Sequence, residues 1–186
     1  MKFTKTNFPG LIIIEPKVLE DNRGYFFESY KVKTFEEAGI DIQFIQDNQA
    51  KSSYGIIRGL HYQLAPFAQT KLVRVLSGKI IDAVVDLRKN SPTYGQAYTI
   101  ELSAENKLQF LVPKGFAHGY SVISEHAEVL YKCDSFYNKE SEGGIMWNDL
   151  AFNIDWKIPA DKAIISEKDK HNPAFQDCKN NFIFEG

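Results

Sequence analysis

Arg58-Gly59-Leu60-His61-Tyr62-Gln63, followed closely by Lys71, gathers a guanidinium, an imidazole and an ammonium into a short, otherwise apolar stretch. Each of these groups needs water or a partner if it is buried. The segment is therefore either a solvated strand edge or the lining of a pocket that binds an anion and moves a proton. The pocket is the sharper reading. An imidazole has an ordinary pKa of about 6.5 and is largely neutral near physiological pH, which suits a general base. Arg58, and Arg23 further upstream, carry forked donors that match diphosphate oxygens. Singly, each residue has a plainer role. His61 would be a core histidine, Lys71 a lysine guarding a strand edge, and Tyr131 a core aromatic with one satisfied hydroxyl.

The element that must hold this stretch is a strand over 54–63. Strict alternation puts Arg58 and His61 on opposite faces, whereas a bulge at Gly59 brings both to one side. Further short strands are expected at 11–14, 25–30, 42–46, 71–76, 79–87, 98–102, 108–112, 116–123 and 129–136, punctuated by Gly and Pro. Ser77-Gly78 predicts a hairpin, and Glu20-Asp21-Asn22-Arg23-Gly24 a turn. Thr34 and Glu37 form a capping box, with Gly39 as the stop, and predict one short helix. The pattern is all-β, a sandwich or barrel, and a jelly roll with a few short peripheral helices fits it best.

Length and composition bound the function classes. The 186 residues suit one domain over 1–186, with a jelly-roll core at about 42–137 and both termini packed around it. A formal net charge of -2 gives no support to nucleic-acid or anionic-membrane binding. Leu11-Ile12-Ile13-Ile14 is too tightly bounded for a signal core or a membrane span. Two cysteines, Cys133 and Cys178, are too few for a disulfide scaffold and read as reduced thiols of a cytoplasmic protein.

A set of segments carries a resemblance. Asp21-Asn22-Arg23-Gly24-Tyr25-Phe26-Phe27-Glu28, Gln46-Asp47-Asn48 and Arg58-Gly59-Leu60-His61-Tyr62-Gln63 come first. Gln69-Thr70-Lys71-Leu72-Val73, Val85-Asp86-Leu87-Arg88 and Pro113-Lys114-Gly115-Phe116-Ala117-His118-Gly119 follow, then Tyr131-Lys132-Cys133 and Ser166-Glu167-Lys168-Asp169. In this order the chain resembles the dTDP-4-dehydrorhamnose 3,5-epimerase family, from about Gly10 to Asp169. Residues 170–186 match nothing in that pattern. Ala50 stands where the family usually has a serine.

The resemblance implies a cupin-type double-stranded jelly roll acting without a cofactor on a dTDP-4-keto-6-deoxy sugar. It implies His61 as base, Asp169 as the acceptor on the imidazole's far nitrogen, Lys71 at the developing oxyanion and Tyr131 as acid on the opposite face. Arg23, Arg58 and Lys168 are implied at the diphosphate, and Glu28, Gln46, Asp47, Asn48 and Glu142 at sugar or base groups. Tyr137 would stack on thymine, with Phe26 on the same side, and His118 would meet a phosphate or the enolate. A homodimer is implied as well, because the family's site borrows an N-terminal strand from a partner chain. A metal site in this fold normally needs a His-X-His pair, and position 63 is Gln63, so no metal is expected. Two alternatives stay open: inversion at a single carbon, or a related keto-sugar isomerisation, and a carbohydrate-binding jelly roll without catalysis.

Overall fold

The computed structural model describes residues 1–186. Its strands are β1 (Lys2–Lys5), β2 (Ile12–Glu15), β3 (Leu19–Asp21), β4 (Gly24–Phe26), β5 (Gln46–Ser53), β6 (Ile56–Gln63) and β7 (Lys71–Ser77). They continue with β8 (Lys79–Asp86), β9 (Ala97–Ser103), β10 (Gln109–Val112), β11 (Phe116–Val122), β12 (His126–Cys133), β13 (Glu142–Gly144) and β14 (Ile164–Ile165). Two short α-helices, α1 (Val32–Glu37) and α2 (Glu167–Lys170), lie outside the sheets. No helix is long and apolar enough to cross a membrane.

Two sheets face each other in a cupin-type jelly roll. One runs β1-β2-β10-β7-β12-β5, and the other β13-β6-β11-β8-β9 with β14 added in parallel to β6. Between them lies a core of Val73, Val75, Ile80, Val84, Phe110, Val122 and Val129, with Tyr131 packed against it. Each sheet is also covered outside. Ile14, Phe35, Ile40 and Leu72 bury one outer face, and Leu60, Tyr62, Val85, Ile145, Trp156 and Phe182 the other. Burial on both faces explains why β8 reads as an almost continuous apolar run instead of alternating.

Several sequence expectations need correction. Ser77-Gly78 does not close a hairpin: β7 pairs with β10 and β12, and β8 with β11 and β9. Gly78 is the corner at which the chain passes between sheets, with φ +76 and His126 O 1.9 Å from where a Cβ would stand. Facing sheets let Val73, Val75, Ile80 and Val84 share one interior. The strand expected at 42–46 instead begins at Gln46 and runs to Ser53, because β12 pairs with all eight of its residues. Helix α1 starts at Val32, with Lys31 as its cap and no side-chain cap hydrogen bond, so Thr34 lies inside the helix. Gly39, at φ +78, does follow its end.

Residues 170–186, to which the sequence pattern assigned no role, fasten the second sheet's outer face. Phe182 is buried there, Tyr62 Oη donates to Lys179 O at 2.5 Å, and Lys89 N donates to Phe182 O while Lys89 O accepts from Phe184 N. Arg88 stacks between Phe116 and Phe184 while its guanidinium grips the buried Asp86.

Candidate active site

The site forms at one end of the space between the sheets, where inward side chains turn from apolar to polar. On β12, inward positions run Ala127, Val129, Tyr131, Cys133; on β5, opposite them, Ser52, Ala50, Asn48, Gln46. Lys71 precedes Val73 and Val75 on the inward face of β7. A cavity of about 190 Å³ is lined by Gln46, Asn48, His61, Tyr62, Gln63, Gln69, Lys71, Tyr131, Tyr137 and Glu142. Lys71 Nζ lies 5.9 Å from the Tyr131 ring centre.

A bulge in β6 brings His61 there. His118 pairs with His61 and Tyr120 with Arg58, so β6 spends one residue more than β11 over the same span. The extra residue resets the alternation. Ile57, Leu60 and Tyr62 all reach the outer core, and Arg58 joins His61 in a second hollow shared with Lys168 and Asp169. Gly59 makes this geometry available. Its φ is +122, and a Cβ there would lie 2.6 Å from Gly119 Cα, so only glycine fits.

His61 Nε2 stands 2.5 Å from Asp169 Oδ1, and Gly59 N donates to Asp169 Oδ2 at 3.4 Å. Burial opposes ionisation of Asp169, but the contacts with His61 and Gly59 outweigh it and hold the carboxyl below the usual range. A carboxylate only accepts, so the shared proton sits on Nε2 and the Nδ1 lone pair is left to act as base. Helix α2 aims Asp169. Its cap Ser166 accepts from Asp169 N, which fixes the turn carrying the carboxyl.

Burial pushes the Tyr131 phenol up, aided by Cys133 and Tyr120 and opposed by Arg58, so Tyr131 keeps its proton at neutral pH. Burial draws the Lys71 ammonium down, while Cys133, Asp82 and Glu142 oppose the shift. At the mouth, Lys168 pairs with Glu142 at 2.5 Å, and Tyr137 Oη donates to Glu142 at 3.1 Å. Burial disfavours the Glu142 carboxylate, but Lys168, Tyr137 and His61 together hold its pKa below the ordinary value.

The structure separates some residues that the sequence grouped. Asp47 lies on the outer face of β5, where Lys132 Nζ reaches it at 3.0 Å, because the alternation that turns Gln46 and Asn48 inward turns Asp47 out. Arg23, Phe26 and Glu28 do not line the cavity of their own chain. Arg23 and Phe26 sit on or beside the exposed β3–β4 hairpin, where Arg23 pairs with Asp21 at 2.5 Å, and Glu28 pairs with Lys31. His118 is buried and lines a smaller cleft behind the cavity with Lys71, Gln63 and Gln69.

Residues outside the expected catalytic and binding set also shape the site. Asp82 holds His118, its two carboxyl oxygens 2.9 and 3.0 Å from Nε2. An aspartate inside the apolar run Lys79-Ile80-Ile81-Asp82-Ala83-Val84 was the available signal, since a charge there needs a partner. Gln63 braces the rim by donating to Phe67 O and Phe136 O and accepting from Asn138 N. Cys133 accepts from Asn48 Nδ2 at 3.6 Å at the edge of the site. No three His, Cys, Asp or Glu side chains converge as a metal site.

Comparison with known proteins decides the family. The model for dTDP-4-dehydrorhamnose 3,5-epimerase matches residues 5–177. The chain belongs to the dTDP-4-dehydrorhamnose 3,5-epimerase family. The Shigella flexneri enzyme of that name is 49% identical over 179 residues, 96% of this chain and 98% of the relative. The crystal structure of the Elizabethkingia anophelis epimerase superposes with a TM-score of 0.92 at 58% identity, covering 97% of this chain and 99% of that one. A Legionella pneumophila 3,5-epimerase, solved in complex with dTDP-4-keto-L-rhamnose, gives 0.90 at 44% identity, with 94% and 93% covered. Family membership at this level makes the protein an isomerase of the epimerase type.

Proposed function

We propose that this epimerase inverts both carbons flanking the ketone of dTDP-4-keto-6-deoxyglucose. A ketone acidifies the C–H bonds on either side of it, so inversion needs a base on one face, an acid on the other and a positive charge at the enolate oxygen. The carrying observation is that the His61–Asp169 pair, the Lys71 ammonium and the Tyr131 phenol reach one cavity. His61 Nδ1 removes the proton, Asp169 stabilises the imidazolium, Lys71 neutralises the oxyanion and Tyr131 protonates the opposite face.

A positioned base and acid contribute about 10²–10⁴-fold each and an oxyanion donor about 10²–10³-fold. Their product, about 10⁶–10¹¹, is an upper figure because groups acting as a unit are not additive. Arg58 and Lys168 beside His61 suit the diphosphate, and the exposed ring of Tyr137 suits stacking on thymine. The hairpin bearing Arg23 leaves Leu19, Tyr25 and Phe26 more than half exposed, which supports its packing on a second copy in a homodimer.

The test is incubation with the keto sugar in heavy water. Deuterium is expected at both carbons, and His61→Ala is expected to abolish it. Label at one carbon alone would replace this reading with a single-position epimerase, and binding without exchange would replace it with a lectin.

A further inference from the structure

Tyr137, the ring offered to thymine, lies in neither a strand nor a helix. β12 ends at Cys133, and the chain next turns regular in a short 3-10 turn at Lys139–Ser141. An aromatic more than half exposed on such a segment is ordinarily mobile, and a ligand that orders it binds less tightly for doing so. Here both ends of the residue are held. Tyr137 Oη donates to Glu142, which Lys168 pairs in turn.

The backbone is held by glutamine side chains from three other parts of the chain. Gln46 Oε1 accepts from Tyr137 N at 3.3 Å, and Gln69 Nε2 donates to Ser135 O at 2.8 Å. Gln63 lies between them. Its Nε2 donates to Phe136 O at 3.2 Å, and its Oε1 accepts from Asn138 N at 2.7 Å. Four backbone groups from Ser135 to Asn138 therefore bond to side-chain amides, where a strand would offer a neighbouring backbone. Gln63 is 6% exposed and ties in the preceding loop as well, donating to Phe67 O at 2.7 Å. Only a neutral amide can do both, because a carboxylate would face two carbonyl oxygens with no proton to give. All three glutamines line the cavity, yet none of these hydrogen bonds involves His61, Lys71, Tyr131 or Asp169.

We propose that Gln63 and Gln69 are positioning residues for the nucleotide. They fix the Tyr137 ring in the orientation that receives the pyrimidine, and so govern affinity for the dTDP half of the substrate without entering the proton transfers. The inference rests on the stacking role given to Tyr137 above.

The experiment measures dTDP binding by calorimetry, and KM and kcat with dTDP-4-keto-6-deoxyglucose. The proteins are wild type, Gln63→Met, Gln69→Met, Tyr137→Ala, and each methionine variant combined with Tyr137→Ala. Loss of a base–aromatic stack weakens binding by about 5- to 150-fold, so Tyr137→Ala is expected to lose about tenfold or more in dTDP affinity. Gln63→Met should lose about five- to tenfold and Gln69→Met about threefold, with KM rising in step and kcat within about twofold of wild type. In the Tyr137→Ala background neither methionine should weaken dTDP binding by more than about twofold, since the ring they position has gone. Gln69→Met removes a single hydrogen bond and keeps the test decisive if Gln63→Met fails to fold. An equal loss in both backgrounds, or a fall in kcat at unchanged KM, would overturn the positioning role and leave the stacking of Tyr137 standing. A dTDP affinity unmoved by Tyr137→Ala would overturn the stacking itself, and the inference with it.

Discussion

Burial opposes the charge of both Asp169 and Lys71, but contacts outweigh it only at Asp169, so the two have opposite consequences for stability. The Asp169 carboxyl titrates below its unfolded value of about 3.9. Its contribution to stability is therefore present above about pH 4 and is lost as pH falls through the folded value. Asp169→Asn should lose less stability than wild type on acidification, and its kcat should fall by about 10²-fold or more because the imidazole loses its tautomer and counter-charge. Urea titrations at several acidic pH values, paired with turnover, check both halves. A mutant as acid-sensitive as wild type would refute the pairing. Lys71 runs the other way. Burial lowers its pKa, so folding opposes the ammonium at neutral pH, and the cost is recovered as pH rises through the folded value. Lys71→Met should cost about 10²–10³-fold in kcat and leave Tm at or above wild type near pH 7, an advantage that shrinks toward alkaline pH. Thermal melts across pH decide this, and a lower Tm with retained turnover would mean the lysine is structural.

At the scale of the element, the site depends on one extra residue in β6. Gly59→Ala adds a methyl where 2.6 Å separates it from Gly119 Cα, at a φ of +122. Strain and overpacking together should cost about 3 kcal/mol and, by resetting the alternation, turn His61 out of the cavity. Chemical denaturation and turnover should fall together; a stable, active Gly59→Ala would show that β6 keeps its course without the bulge. The sequence signalled this feature because Gly59 stands between Arg58 and His61, two basic residues that strict alternation would put on opposite faces. It announced less where tertiary pairing overrules local pattern. Asp47 shares a motif with Gln46 and Asn48, yet lies across the pleat from them and faces Lys132. Thr34 and Glu37 have the spacing of a cap, but α1 begins two residues earlier. Ser77-Gly78 reads as a hairpin because flanking strands are apolar, and that pattern cannot distinguish folding back within a sheet from crossing to the facing one.

On the scale of the molecule, one chain gathers the proposed catalytic residues and leaves part of the proposed binding apparatus outside. His61, Lys71, Tyr131 and Asp169 converge on or beside a single cavity, while Arg23 and Phe26 stand on an exposed hairpin beyond it. If that hairpin reaches into a partner's site, each site in a homodimer joins the His61 of one subunit to the Arg23 of the other. His61→Ala and Arg23→Ala homodimers should then both be impaired, the first in kcat and the second mainly in KM. Refolding the two variants together in equal amounts should restore activity. Half of the dimers formed at random are hybrids, and each hybrid holds one site with both residues intact, so about a quarter of wild-type activity is expected from twofold symmetry. A site built within one chain gives a different result, since no subunit in the mixture then carries both residues and the activity stays at the level of the separate variants. The measurement is turnover at a substrate concentration that leaves Arg23→Ala unsaturated, before and after subunit mixing. A rise toward a quarter establishes that the hairpin acts across the dimer, and no rise confines Arg23 to the surface ion pair with Asp21 that it makes in the single chain.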